Sequence, residues 1–325
     1  MQLGADHVRV RVPATSANLG PGFDAMGLAL ARYDVLEVRA LGNGDVVVDV
    51  EGEGAGEVPG DERHLVVRAL RAALDLVGAP QTGLHLTATN AIPHGRGLGS
   101  SAAAVVAGIV AARALVADPA ALDDATVLQL ATEFEGHPDN AAPAIYGGAT
   151  IAWTSTVEGD EGAHAVRLDV HPDIEATVLV PTIRLATSRA RGVLPETVPH
   201  ADAALNAGRA ALLVEALTRS PHHLFDATED RLHQEYRAGV MSASWELVRA
   251  LRADGLAATI SGAGPTVLLL GDASDRDRAD AVLRDLLHGS DQWRAYRPGI
   301  DLAGVRSERV LGSAGLADPS SRQSH

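Results

Sequence analysis

Between Leu84 and Ala112 the chain changes its hydrophobic period across a run of glycines, and that change restricts the possible folds. Leu84, Leu86 and Ala88 alternate with His85, Thr87 and Thr89, the pattern of a strand with one buried face. Strands of a parallel sheet covered by helices on both sides read instead as unbroken apolar runs. The strand is therefore half exposed, the first half of the chain is α+β, and a dinucleotide-binding doubly wound sheet fits poorly. After Gly95-Arg96-Gly97-Leu98-Gly99-Ser100-Ser101 comes a weakly polar run, Ser101 to Ala112, which Arg113 stops. It falls short of the roughly 18 apolar residues a membrane helix needs and reads as a buried helix.

Elsewhere, Val8, Val10 and Val12 alternate with Arg9 and Arg11, a strand that Pro13 is expected to end. Strands at 33–40 and 46–51 are predicted to form a hairpin through Gly42-Asn43-Gly44. A helix over 65–76 has Asp61 as its expected N-cap, and Gly78 and Pro80 beyond its end. Helices at 101–116 and 124–135 and an extended piece at 149–154 complete the first half. The acidic stretch Glu158-Gly159-Asp160-Glu161-Gly162 reads as a linker, dividing the chain into domains at 1–160 and 166–312. The second domain reads as a strand (175–180), helices (201–218, 241–253), two strands about a glycine turn, a helix (275–287) and a closing strand (304–310). Residues 313–325 are expected to be a disordered tail.

Composition narrows the chemistry. With 27 basic and 42 acidic residues the net charge is −15, which disfavours nucleic acid and anionic membranes as partners. All 27 basic residues are arginine. Without lysine there is no Walker-A loop, no protein-kinase phosphate lysine and no pyridoxal Schiff base. Cysteine is absent too, which removes disulfides and thiolate chemistry. Met1 to Arg11 holds no signal-peptide core, and a cytoplasmic location is expected.

Three glycine-bearing segments remain. Gly95 to Ser101 joins a strand to a helix, the arrangement in which backbone amides and the helix dipole hold phosphate, although an ordinary glycine turn has the same letters. Pro13-Ala14-Thr15-Ser16-Ala17-Asn18-Leu19-Gly20-Pro21-Gly22-Phe23-Asp24 and Ser261-Gly262-Ala263-Gly264-Pro265-Thr266 are each compatible with a tight turn alone. In order and wording, however, the three resemble the GHMP kinase superfamily of small-molecule ATP-dependent kinases. Pro93 through Ala103 is similar to that family's phosphate loop, and the first segment resembles the signature of its homoserine-phosphorylating branch. His137-Pro138-Asp139-Asn140 and Leu232-His233-Gln234-Glu235-Tyr236-Arg237 agree with it, and the resemblance runs from about Val8 to Val310.

The resemblance implies an α+β fold with a ribosomal-protein-like N-terminal domain, a ferredoxin-like C-terminal domain and the site between them. It implies ATP bound by Pro93, Gly95, Arg96, Gly97, Leu98, Gly99, Ser100 and Ser101, with His64 standing where relatives often carry an adenine-binding Asn. Mg²⁺ is implied at Ser101 and a glutamate, with Glu135 preferred to Glu133 from its spacing after Ala131. For substrate L-homoserine it implies Asp24 at the ammonium, Arg191 and Arg237 at the carboxylate, and Asn140 at the hydroxyl. Asn18, His137, Thr187 and Gly262 lie nearby, and Asn140 and Arg191 are the implied catalytic residues. A homodimer is implied as well. Another small-molecule kinase of the superfamily, or a nucleotide-binding paralogue without catalysis, stays open as an alternative.

Overall fold

Alternation along the first strand buries Val8, Val10 and Val12 and exposes Arg9 and Arg11, but the strand does not stop at Pro13. In the computed structural model, which describes residues 1–310, β1 (His7–Ala17) runs on against β2 (Met26–Leu41). The register shifts between Pro13 and Ala14. At such a bulge the missing proline N–H leaves no ladder bond unmade, which is why the expected stop is absent. The tail expected at 313–325 lies outside the described residues.

The hairpin expected at Gly42-Asn43-Gly44 is absent for a different reason. β4 (Gly83–Asn90) inserts between β2 and β3 (Val46–Gly52), antiparallel to β2 and parallel to β3. The turn gives the carbonyls of Asn43 and Asp45 to the amides of Gly83 and Leu84, at 2.7 and 2.8 Å. α1 (Leu65–Leu76) supplies the crossover that a parallel pair requires. Its N-cap is His64, whose Nδ1 accepts from the Val66 N–H at 3.3 Å. The expected cap, Asp61, binds Arg63 instead.

α2 (Ser100–Leu115) is buried on nearly every side and packs on α1, β1 and α3 (Asp124–Glu135). α4 (Ala141–Tyr146) leads into β5 (Ala149–Ser155), which forms a hairpin with β6 (Gly162–Leu168). Glu158, Asp160 and Glu161 make its turn, so the acidic stretch is not a linker and the first sheet continues past residue 160. Its composition suits a solvated turn as well as it suits a linker.

β7 (Ile174–Pro181), α5 (Thr187–Arg191), α6 (His200–Thr218), α7 (Leu224–Ala227), α8 (Ser242–Ala253), β8 (Ala257–Ile260), β9 (Val267–Asp272), α9 (Arg276–Leu286) and β10 (Trp293–Tyr296) follow. These four strands form an antiparallel sheet in the order β10-β7-β9-β8, the ferredoxin-like arrangement that the resemblance implies. β11 (Arg306–Arg309) then pairs with β1, so the closing strand belongs to the first sheet and not to a contiguous 166–312 domain. That sheet has seven strands, β11-β1-β2-β4-β3 with β5 on β2 and β6 on β5.

Both faces of the second sheet are buried. Ile174, Ala176, Val178 and Val180 join the core of β1, α1 and α2, while Leu179, Val267 and Leu269 pack with Val248 and Leu251 of α8 and Leu283 of α9. Each large aliphatic side chain so buried contributes about 1.5–3 kcal/mol. Apolar burial, not a linker, therefore fixes the second sheet against the first. Among the described residues no helix is long and apolar enough to cross a membrane.

Candidate active site

The end of β1 lies between the other two glycine segments and ties them together. The Thr15 amide donates to Leu98 O at 3.1 Å, the Gly262 amide to Ala17 O at 3.0 Å and the Thr266 amide to Arg96 O at 3.2 Å. The Ser261 hydroxyl donates to Gly97 O at 2.6 Å and lies 2.8 Å from Ser16 Oγ. Two glycines are dictated by this contact. At Gly97 (φ +77°) a Cβ would run into Ser261 O, and at Gly99 (φ +69°) it would take the place of the Thr15 hydroxyl. Non-glycine residues with positive φ cluster beside them, at Asn18, Leu19 and Asp24, in a backbone region that costs free energy and gathers at functional sites. The Asn18 side chain holds the turn, donating to Gly262 O at 2.8 Å and accepting from the Asp24 amide at 2.9 Å.

A cleft of about 330 Å³ opens over these segments. It collects Asn18, Asp24, Gly95, Gly97, Gly99, Ser100, Ser101, Glu135, His137, Asn140, Thr187, Arg191, Arg237 and Gly262 of the sequence-predicted site. At its α2 end the Ser101 hydroxyl donates to Glu135 Oε1 at 2.6 Å, and burial raises the Glu135 carboxyl above the usual range. Glu133 is exposed, accepts from Gln129 at 2.8 Å and lines a different surface hollow. In the middle, the Thr15 hydroxyl donates to Asn140 Oδ1 at 2.8 Å, and Asn140 Nδ2 donates to Asp139 Oδ1 at 3.2 Å. His137 Nδ1 lies 2.6 Å from that same carboxylate oxygen, and the bond to Asp139 raises the imidazole pKa. Asp139, 2% exposed, is a cleft residue that no role was assigned to, though it stands within the His-Pro-Asp-Asn string.

Opposite lie the charges. Arg191 Nη1 and Nη2 donate to Asp24 Oδ2 and Oδ1 at 2.9 and 2.6 Å, a bidentate pair whose hydrogen bonds raise the guanidinium pKa. Arg237 is 1% exposed, follows a run of turns rather than lying on a helix face, and has no carboxylate partner among the described residues. Burial, reinforced by Arg191, pushes its pKa down to about 10. It sits over the ring of Phe23, 5.3 Å from the centroid.

Three predicted phosphate-loop residues do not line this cleft. The Arg96 guanidinium points away, donating to Pro181 O and Thr182 O at 2.9 and 3.0 Å and pairing with Glu53, so only its backbone serves the loop. Carbonyls at and just beyond the end of β7 satisfy the side chain. Pro93 lines a small hollow beside it, and the Leu98 side chain is buried beneath.

His64 belongs to a second cavity of about 310 Å³, which shares Ser100 and Ser101 with the first. Its walls are largely apolar, with Val12, Leu36, Leu65 and Ala107 among them. Because Nδ1 caps α1, the Nε2–H of His64 remains for a ligand. Asp34 lines the same cavity; its Oδ1 accepts from the Ala91 and Ile92 amides at 2.7 and 2.8 Å, yet burial pushes its carboxyl up to about 6. The unfolded chain, with a pKa of about 3.9, ionises first as pH rises, so the folded state loses stability between about pH 4 and 6. Asn keeps an acceptor for both amides. Asp34→Asn should therefore stabilise the protein by on the order of 2–3 kcal/mol at pH 7, the gain shrinking as a melting series is taken down to about pH 4.

Comparison with known proteins gives these cavities a context. Residues 64–148 match the GHMP kinases N terminal domain and residues 202–289 the GHMP kinases C terminal domain. A homoserine kinase of Streptomyces coelicolor is 56% identical over 92% of this chain and 93% of its own, and one of Clavibacter michiganensis is 51% identical over 91% and 92%. The fold matches a crystal structure of homoserine kinase from Cytophaga hutchinsonii (TM-score 0.80, 24% identity, 94% and 98% of the two chains). It also matches mevalonate diphosphate decarboxylase from Staphylococcus aureus (TM-score 0.61, 16% identity, 94% and 98%). Both likenesses to solved structures are of fold alone, since one fold carries several chemistries. Identity above one half along nine-tenths of both chains is a closer relation than that, and the chain belongs to the homoserine kinase family within the GHMP kinases.

Proposed function

We propose that this protein transfers the γ-phosphoryl group of ATP to the side-chain hydroxyl of L-homoserine, giving O-phospho-L-homoserine and ADP. The observation that carries the reading is the charge pattern beside the glycine loop. Asp24 offers an anion, Arg191 and Arg237 offer cations, and Asn140 offers an amide in the same cleft, which is the complement of a zwitterion with a hydroxyl. Asp24 and Arg191 satisfy each other, and a substrate ammonium and carboxylate would replace that pair charge for charge.

The nucleoside would occupy the apolar cavity beside His64, with its phosphates over Gly97, Gly99 and the start of α2, where amides and dipole favour an anion. Ser101 and Glu135 fit a magnesium ion: a hydroxyl and one half-buried carboxylate, 2.6 Å apart, both lining the cleft, with Ser101 shared by the second cavity. Among the described residues no cluster of three metal-binding side chains exists, and magnesium is commonly held by one or two carboxylates plus substrate phosphates. Such an ion would neutralise charge on the transferring group. Asn140, fixed at both ends by Thr15 and Asp139, aligns the hydroxyl for in-line attack on the γ-phosphorus. Its amide takes no proton, which passes instead to a phosphate oxygen. The family resemblance further supports a cytoplasmic homodimer acting in threonine biosynthesis.

A panel of homoserine, 3-aminopropanol, mevalonate and a hexose with MgATP tests this. Homoserine should give the highest kcat/KM and mevalonate no turnover; preference for mevalonate or the sugar would overturn the substrate assignment.

A further inference from the structure

The Leu232 to Arg237 string contains a fully buried histidine whose partners lead back into the cleft. His233, 0% exposed, has Nε2 at 2.8 Å from Gly20 O and Nδ1 at 3.0 Å from Arg237 Nη1. A carbonyl only accepts and a guanidinium only donates. The ring therefore carries its hydrogen on Nε2 and offers a lone pair at Nδ1, a neutral imidazole. Phe23 stacks on it at 5.0 Å. Asp230, the carboxylate nearest the ring at 3.7 Å, is committed to the amides of Leu232, His233 and Gln234 at 3.0, 3.1 and 2.9 Å.

The remaining bonds of Arg237 are to neutral acceptors as well: Nε donates to Ala190 O at 3.2 Å and Nη1 also to Gly262 O at 3.3 Å. A carboxylate in place of the imidazole would orient the guanidinium equally well. It would also cancel the charge and repel an incoming anion. An imidazole orients Arg237 and leaves its charge unspent.

We propose that His233 is a positioning residue that sets substrate specificity, holding Arg237 with a neutral acceptor so that the guanidinium reads the substrate's carboxylate. This rests on the reading of the cleft as an amino-acid alcohol site. His233→Gln keeps an amide near the Nε2 position for Gly20 O but removes the acceptor at Nδ1, whereas His233→Asn places an acceptor near Nδ1. The Gln variant should lower the homoserine to 3-aminopropanol ratio of kcat/KM by about tenfold or more, mainly through homoserine KM, and the Asn variant should recover much of it. Imidazole ¹⁵N shifts of the wild-type protein at pH 7 should show His233 neutral with its hydrogen on Nε2, a readout that does not depend on any variant folding. A charged ring, an Nδ1–H tautomer, or equal losses on both substrates in the Gln variant would overturn the proposal. Failure of wild type to prefer homoserine would instead overturn the functional reading and leave the tautomer result standing.

Discussion

Replacing Glu135 with glutamine should depress kcat by on the order of a hundredfold or more while moving homoserine KM far less. The carboxylate accepts from the hydroxyl of Ser101, a residue that lines both cavities, and makes no bond to Arg191 or Arg237. In the proposed mechanism its charge would serve a bound metal and hence the transferring phosphoryl, where charge is spread over the equatorial oxygens in the transition state. An amide keeps the shape and the bond to Ser101 but supplies no negative charge. Glu133→Gln provides the comparison, because Glu133 lies on an exposed face with Gln129 as its partner. It should change kcat by no more than about twofold, as surface substitutions do. Steady-state kinetics at saturating homoserine, with magnesium titrated, separate the two, and the reverse ordering would assign the metal to Glu133.

Arg237→Ala should lower kcat/KM for homoserine by at least roughly tenfold, or about 1.4 kcal/mol, with a ceiling near 5 kcal/mol. An exposed arginine would cost about 0.5 kcal/mol or less. Arg237 is 1% exposed and its protein acceptors are all neutral, so its loss would leave a substrate carboxylate buried and poorly paired. Arg191 cannot fully compensate, since one guanidinium would then face a carboxylate that the proposed pose shares between two. MgATP affinity should hold, because Arg237 does not line the cavity beside His64 that is proposed for the nucleoside. 3-Aminopropanol, which lacks the carboxylate, should lose little. Equal losses on both substrates would mean that Arg237 does not read the carboxylate.

The site was more legible in the sequence than the topology. Asp24, Arg191, Arg237 and Asn140 meet in one cleft although they come from four parts of the chain. Asp24, Asn140 and Arg237 each stand in a short string whose letters can be read without knowledge of the fold. Pairing partners leave no such mark. Gly42-Asn43-Gly44 has the composition of a hairpin turn, and nothing local tells that β4, some forty residues later, will insert between the strands that flank it. Pro13 reads as a stop unless the bulge that accommodates it is known. Side-chain direction is hidden for the same reason: Arg96 lies in the phosphate loop by position, yet the carbonyls that claim it belong to Pro181 and Thr182. His233 was visible as a letter in a matching string, but its tautomer required the positions of Gly20 and Arg237.

The return of β11 to β1 has a consequence for how the chain is made. During synthesis β1 emerges first, and one edge of it stays bare until almost the last described residues arrive. Contacts of such large sequence separation close slowly, because the loop entropy is lost before they form. The strand that ends in Thr15, Ser16 and Ala17, on which the Gly95 to Ser101 loop and Gly262 are hung, thus gains its β11 neighbour only after about 290 further residues have been made, on the order of the loop lengths that close slowly. Nascent chains that stop short of Arg306 lack that neighbour, and the strand that carries the candidate site completes its pairing only once residues 306–309 have been made.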